Sequence, residues 1–286
     1  MPNLVMLIGL PGSGKSTFAE KNYPSFVYLS SDKIREELYG DAAVQDNPEK
    51  VFSLMRERAI QELENGNDVV YDATNLVRKF RVNFIKSIPI GHLITAHVIW
   101  APLDECIKRD SERERTVGKE VIFKMAKKFD APWYDEGFTS ILYNIPYRES
   151  ERLKYAGEII CAMKIPHDNP HHTADIYNHC INCEKYLEDK NVFFDIQWAG
   201  LFHDVGKPLC KTFFNSKGEI SETAHYYDHQ HLSAWMACGA AGSSSFSIWL
   251  ISSHMEPYFN SKYYKNMSKY MKDALEILHE ADKQAH

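Results

Sequence analysis

The chain lacks long apolar runs. No stretch reaches the roughly 18 uninterrupted apolar residues of a membrane-spanning helix, so no membrane partner is expected. The apolar run Leu4–Leu10 has no basic leader and flows straight into a glycine loop. It reads as a strand rather than a signal peptide, and a cytoplasmic protein is expected. Cysteine is sparse: six in 286 residues do not make a disulfide framework. A basic excess is also missing. With 33 Lys/Arg against 39 Asp/Glu the net charge is −6, which argues against broad, salt-sensitive binding to nucleic acid. Internal repeats and low-complexity tracts are absent. What is left is an ordinary globular composition, long enough for two domains that each bury a core.

The charge is uneven. Between Val77 and Lys128, 12 Lys/Arg stand against 6 Asp/Glu, a local +6 that leaves −12 on the remainder. A local basic surface can hold the end of a phosphate chain; a set of solvated helix faces gives the same count.

Residues 1–145 alternate short apolar runs with amphipathic stretches. Strands are predicted at Asn3–Ile8, Phe26–Leu29, Asp68–Tyr71 and His92–Trp100. Helices are predicted at Lys15–Lys21, Asp32–Leu38, Pro48–Glu64, Val77–Ser87, Leu103–Glu112 and Lys119–Phe129. This alternation implies a parallel sheet flanked by helices. From about Ser150 the chain reads as helical and becomes rich in histidine. The expected domains are residues 1–150, an α/β unit, and 151–286, an all-α unit. Lys217-Gly218 suggests the tight turn of a small hairpin.

Gly9-Leu-Pro-Gly12-Ser13-Gly14-Lys15-Ser16 matches G-x-x-x-x-G-K-[ST], directly after a predicted strand and before a predicted helix. Glycines let backbone N–H groups converge on an anion, and the following helix, which includes Thr17, points its positive end at the phosphates. Lys15 adds a charge at the β/γ-phosphates, and Ser16 is placed to ligate Mg²⁺. ATP and Mg²⁺ are therefore the expected cofactors. The next strand ends in Ser30-Ser31-Asp32, and strand ends in such sheets face the ligand crevice. Asp32 is either the base that takes a proton from an attacking hydroxyl or a helix N-cap. Arg35 could grip an acceptor phosphate. Asp72 either serves Mg²⁺ through water or caps a helix. Arg109 and Arg113, at i and i+4, share a helix face; they either neutralise charge over the nucleotide or form a salt-bridged surface.

Together, Ile8–Thr17, Ser31–Arg35, Asp72–Asn75, the arginines 109–113, Phe129-Asp-x-Pro132 and Glu136-Gly137-Phe138 resemble the polynucleotide 5′-hydroxyl kinase family. The resemblance implies Asp32 as general base, Arg35 on the acceptor's 3′-phosphate, and Arg109 and Arg113 on the phosphates of ATP.

In the second half, His179, His203-Asp204, His229, His254 and Asp282 offer imidazole and carboxylate ligands suited to Mn²⁺, Fe²⁺, Ni²⁺, Co²⁺ or Zn²⁺. The order His…His-Asp…His…His…Asp resembles the HD phosphohydrolase superfamily. That resemblance implies His179, His203, Asp204 and Asp282 around one metal, with His229 and His254 helping to bind a second. Lys207, just beyond Gly206, could bind a phosphate; His171 and His172 either bind substrate phosphate or are ordinary polar residues at a helix start. Where the family often has Glu after the third histidine, this chain has Gln230 followed by His231. Cys180 and Cys183, at i and i+3 with no second Cys pair nearby, read as core rather than as a zinc or redox motif.

The expected activity is nucleic-acid end healing: phosphorylation of 5′-hydroxyl ends of RNA or DNA, with hydrolysis of 3′-phosphate or 2′,3′-cyclic phosphate. A separate ligase would be the partner. The alternatives are a small-molecule or nucleoside kinase with an HD nucleotidase, and an ATP-regulated HD phosphohydrolase.

Overall fold

The computed structural model describes residues 1–44, 46–169 and 174–285. His171 and His172 lie outside the described residues. Two compact units are formed, one from residues 1–125 and 132–146, the other from 126–131 and 147–286.

In the first unit, β1 (Asn3–Ile8), α1 (Lys15–Asn22), β2 (Val27–Ser30), α2 (Ser31–Tyr39), α3 (Pro48–Glu64), β3 (Val69–Asp72), α4 (Arg78–Ile85), β4 (Leu93–Ile99), α5 (Leu103–Ser111), α6 (Lys119–Ala126) and β5 (Ser140–Asn144) follow in order. The strands make one parallel sheet in the order β2-β3-β1-β4-β5. β1 is central, so its apolar run is covered on both faces: Leu4 to Ile8 are all buried. Val5, Leu7, Val70 and Ile99 join Ala19 of α1 in one cluster, against which Phe18, Tyr23, Phe26 and Tyr28 pack. The carboxyl ends of β1, β2 and β3 consequently open on the same side as the glycine loop. β5 went unpredicted because, as an edge strand, it buries only Ile141 and shows neither an apolar run nor clean alternation.

In the second unit, α7 (Glu149–Ala162), α8 (Ile176–Asp189), α9 (Phe194–Phe202), α10 (Lys207–Cys210), β6 (Thr212–Phe214), β7 (Ile220–His225), α11 (His229–Cys238), α12 (Ser245–Ser253), α13 (Glu256–Phe259), α14 (Lys262–Asn266) and α15 (Lys269–Gln284) follow. The two strands form an antiparallel hairpin. Its turn carries Gly218 at φ +81°, where a side chain would be strained. α8 lies against α9 and α15, and α12 against α9 and α11. Gly200 permits the α8–α9 approach, since a Cβ there would come within 2.7 Å of Leu187 Cδ1. The segment 126–131 belongs to this unit through Phe129, which is fully buried edge-on to Trp235 at 5.2 Å. All six cysteines are free, with Cys180 and Cys183 completely buried. No helix among the described residues is long and apolar enough to cross a membrane.

Candidate functional sites

The glycine loop has the shape of an anion cradle. Gly12 and Gly14 adopt φ +79° and +98°, conformations that L side chains avoid. A Cβ on Gly12 would meet Cys106 O at 2.3 Å, and one on Gly9 would meet Ile99 O at 2.5 Å. Lys15 Nζ donates to the carbonyls of Gly9 (3.0 Å) and Leu10 (2.9 Å). Burial of this ammonium lowers its pKa, against the opposing pull of Asp72; an anion in the loop would relieve that desolvation. Ser13 Oγ is buried and finds no hydrogen-bond partner among the described residues. A nucleotide phosphate fits these features: it would offer an acceptor to the Ser13 hydroxyl and a counter-charge to the Lys15 ammonium, which among the described residues has only the neutral Gly9 and Leu10 carbonyls as hydrogen-bond acceptors.

Ser16 Oγ donates to Asp72 Oδ2 at 3.0 Å, and Tyr28 Oη donates to the same oxygen. Asp72 is therefore no helix cap. Its bond to Ser16 leaves the serine lone pairs free to face a cation, which is the fit expected for Mg²⁺. Tyr28 was not identified from sequence; it stands within β2, two residues before Ser30, and meets Asp72 only because β2 pairs with β3.

Asp32 is not the N-cap of α2 either. Ser30 takes that role, accepting from Asp32 N at 3.3 Å. The Asp32 carboxylate is left beside two guanidiniums: Arg35 Nη1 at 3.2 Å and Arg115 Nη1 at 3.4 Å from Oδ1. Lys15, Ser16, Asp32, Arg35, Asp72, Arg113 and Arg115 all line one cavity of about 420 Å³.

The arginine pair differs from expectation. α5 ends at Ser111, so Arg109 and Arg113 do not share a helix face. The buried Asp110 carboxylate accepts from the amides of Val117 (3.1 Å) and Gly118 (3.0 Å), folding the following loop back and ending the helix. Arg109 forms the surface salt bridge to Glu105 at 2.9 Å and reaches Gly12 O at 3.4 Å. Arg113 and the overlooked Arg115, freed from helical geometry, turn into the cavity.

The second unit brings its predicted ligands together. His203 and His254 follow the last residues of α9 and α12, and His229 opens α11. Each Nδ1 bonds the carbonyl three residues back: Gly200 O at 2.8 Å, Ile251 O at 2.8 Å and Tyr226 O at 2.7 Å. A carbonyl only accepts, so each neutral ring carries its proton on Nδ1 and leaves a bare lone pair on Nε2. Those lone pairs converge. His203 Nε2 lies 3.2 Å from His179 Nε2, and His229 Nε2 lies 3.2 Å from His254 Nε2. Lone pairs so close need a proton or a metal between them.

The carboxylates complete the cage. Asp282 Oδ1 is 2.9 Å from His179 Nε2 and 3.5 Å from His203 Nε2. Asp204 divides its oxygens, Oδ2 at 3.3 Å from His203 Nε2 and Oδ1 at 3.1 Å from His229 Nε2. His179, His203 and Asp282 form one metal-compatible group; Asp204, His229 and His254 form another. The donor set fits divalent transition metals. Without them, burial would lower the His203 pKa, but the Asp204 and Asp282 carboxylates outweigh it and raise the value to about 10. Burial and the neighbouring imidazoles drop His254 to about 3.

Around the cage, Lys207 Nζ contacts Asp204 Oδ2 at 2.6 Å and stands 3.5 Å from His167 Nε2. Tyr258 Oη donates to Asp282 Oδ2 at 2.9 Å. His167 and Tyr258 were not singled out from sequence, because neither belongs to the spaced pattern. His231 turns to Asp130 at 3.3 Å and belongs to neither metal-compatible group. Cys180 Sγ approaches His203 and Asp204, but burial pushes its thiol pKa well up, so it stays protonated.

Comparison with known proteins accords with both units. Residues 4–132 match the family model described as an AAA domain, and residues 176–283 match that described as an HD domain. The chain thus joins a kinase-type P-loop domain to an HD domain, an enzyme architecture; such a P-loop implies a nucleoside triphosphate with Mg²⁺, and HD domains bind divalent metals. The chain is 34% identical over 141 residues to L-seryl-tRNA(Sec) kinase of Methanococcus maripaludis, covering 45% of this chain and 53% of the relative. It is 30% identical over 147 residues to transcription factor bHLH140 of Arabidopsis thaliana, covering 49% and 16%. It therefore spans about half or less of these curated relatives. Among solved structures, the Pnkp1/Rnl/Hen1 RNA repair complex aligns at 28% identity and TM-score 0.38, over 43% of this chain and 42% of that one. A gluconokinase from Sinorhizobium meliloti 1021 aligns at 17% and TM-score 0.37, over 52% and 86%.

Proposed function

We propose that the chain heals nucleic-acid ends, transferring the γ-phosphoryl group of ATP to a 5′-hydroxyl and hydrolysing a 3′-phosphate or 2′,3′-cyclic phosphate in its HD domain. The observation that carries the kinase half is the seat of Asp32: a carboxylate at the mouth of the P-loop cavity, released from capping and flanked by Arg35 and Arg115. Asp32 takes the proton of the attacking hydroxyl as its oxygen bonds to the γ-phosphorus and the bond to the β-phosphate oxygen breaks, releasing ADP. Arg35 grips a phosphate of the acceptor. Lys15 and Arg113 stabilise charge on the transferred group, with Arg109 holding the loop at Gly12. Ser16, with Asp72 behind it, would hold Mg²⁺, which would supply positive charge at the β/γ-phosphates.

In the HD domain His179, His203, Asp204 and Asp282 would hold one ion, and His229 and His254, with the far oxygen of Asp204, a second. Divalent ions in such a cage lower the pKa of water and neutralise phosphoryl oxygens. Lys207 pairs with Asp204 at Oδ2, the oxygen that also faces His203, and leaves the cage less negative toward an incoming phosphate.

The decisive test is incubation with ATP, Mg²⁺, Mn²⁺ and an oligonucleotide bearing a 5′-hydroxyl and a 2′,3′-cyclic phosphate, with the mass of both ends read out. Gain of one phosphoryl group at the 5′ end and opening or loss of the cyclic ester are expected; an oligonucleotide unchanged at both ends refutes the proposal. The likeness to L-seryl-tRNA(Sec) kinase favours a second reading of the kinase half, in which the acceptor is a hydroxyl carried on an RNA adduct. Seryl-tRNA in place of the oligonucleotide separates the two.

A further inference from the structure

The cage is buried, yet one of its supports reaches the surface. Tyr258, whose hydroxyl holds Asp282, is 47% exposed, and the adjacent Phe259 is 60% exposed. From there the chain runs through α14 into α15. Between Pro257 and Lys272 it carries four lysines, four tyrosines and no carboxylate. In a protein of net charge −6 this is a local reversal of sign. Lys262, Lys265 and Lys269 are exposed. The first turn of α15 holds no acidic residue. A lysine there adds to the positive end of the helix dipole instead of offsetting it, an arrangement that weakens the helix and attracts anions.

An aromatic tier is built into the same surface. Trp249, almost wholly buried, stacks on Phe246 at 5.9 Å and 7°, and Phe246 stacks on Tyr270 at 5.6 Å and 21°. The outermost ring, Tyr270, is 63% exposed. Trp249 Nε1 is further tied to Tyr263 Oη at 3.3 Å. A ring held from behind by two stacked neighbours is pre-organised to receive a further flat group. Of the nearby carboxylates, Glu276 is engaged by the Tyr264 hydroxyl and Glu256 by Ser261; Asp273 follows the last lysine.

Lysines in local excess over acids draw a phosphate chain, and exposed aromatic faces stack bases without regard to sequence. We propose that the surface of α13, α14 and the first turns of α15 binds a single-stranded polynucleotide whose terminal phosphate ester enters the histidine cage. The substrate of the HD site is then the end of a polymer rather than a free nucleotide. This rests on reading the cage as a phosphohydrolase.

The test uses the full chain and a short single-stranded oligonucleotide, 3′-phosphorylated and labelled through its 5′ end so that no 5′-hydroxyl is offered. Affinity is followed by anisotropy across a salt titration. The variant Lys262→Glu/Lys265→Glu/Lys269→Glu is expected to bind at least about tenfold more weakly and to lower the slope of log K against log salt by ~2. Tyr270→Ala is expected to weaken binding roughly fivefold or more. A charge-matched control, Lys154→Glu/Lys185→Glu/Lys217→Glu, should change it less than about twofold. Equal losses in both triple variants would mean bulk charge alone and overturn the proposal. So would a wild-type protein that binds the nucleoside 3′-monophosphate as tightly as the oligonucleotide. Thiouridine crosslinking gives a local readout: adducts should map to peptides within residues 258–272, and adducts only elsewhere refute the surface. The two readings fail separately. If phosphate is released but the lysine variants bind normally, the surface falls and the hydrolase stands. If the variants lose binding but no metal supports release, the hydrolase falls and the surface stands.

Discussion

Arg81 and Glu136 form a two-pronged ion pair, Nε to Oε2 at 2.8 Å and Nη2 to Oε1 at 2.7 Å, with both side chains fully enclosed. The third arm, Arg81 Nη1, donates to the carbonyls of Asn75 and Leu76 at 2.9 Å each. Asn75 Nδ2 in turn donates to Leu7 O at 2.7 Å, and Gly9 N to Thr74 O at 3.0 Å. One buried guanidinium therefore fixes the loop after Asp72 against the loop that opens the phosphate cradle.

Substituting Glu136→Leu strands that guanidinium in an apolar interior. A loss of about 3–5 kcal/mol in the stability of the first unit is expected, read as a fall in urea midpoint. Because breaking a buried pair costs more than replacing it, Arg81→Met/Glu136→Leu should be less destabilising than Glu136→Leu alone. A single substitution that leaves the midpoint unmoved would show that the pair holds nothing.

Asp32→Asn removes the proton acceptor while keeping shape. Phosphoryl transfer should fall by about two to four orders of magnitude, while ATP affinity, measured by calorimetry, holds within a few-fold. Lys15→Ala should lose both. If Asp32→Asn transfers phosphate normally, the carboxylate is not the base, and a nucleotide-sensing role for the P-loop gains ground.

The divided reach of Asp204 makes a prediction about stoichiometry. Wild-type protein should carry two equivalents of divalent metal by elemental analysis. His254→Ala should lose one, since it removes a donor from one group only. Asp204→Ala should lose most of both, because each of its oxygens faces a different histidine pair. His203→Ala should abolish phosphate release yet spare ATP-dependent phosphorylation. One equivalent in wild type and none in His254→Ala would dismiss the two-ion arrangement.

How far these sites could be read from sequence depended on locality. The glycine loop and the apolar β1 run were legible because backbone conformation and burial on both faces leave marks within a few residues. The histidine cage was legible only as an order of ligand types, since its members come from helices far apart in the chain. Arg115 was passed over because Arg109 and Arg113 were paired by helical spacing although the predicted helix ends at Glu112; the stop comes from Asp110, whose buried carboxylate captures two amides seven and eight residues on. Tyr28 and Arg81 act through partners 44 and 55 residues away, and nothing in their immediate neighbours announces such contacts. That Phe129 belongs to the second unit, against Trp235, was hidden for the same reason.

Acid sensitivity of the first unit should trace to His97. It sits in β4, 9% exposed, with Nδ1 3.1 Å from Tyr23 Oη and its ring edge-on to Phe18 at 4.4 Å. Burial lowers its pKa from 6.5 to about 4. Between those values the unfolded chain takes up a proton that the folded chain refuses. The stability due to a neutral His97 is whole above pH 6.5, declines as pH falls through that window, and is gone below about 4. The span corresponds to roughly 3 kcal/mol. His167 also falls to about 4 and His254 to about 3, so the wild-type profile alone cannot assign the effect. The difference between wild type and His97→Gln can, because the other histidines cancel. Urea midpoints of the two should converge as pH drops from 6.5 to 4, with the variant the flatter by one proton. Parallel profiles across that range would locate the acid sensitivity elsewhere.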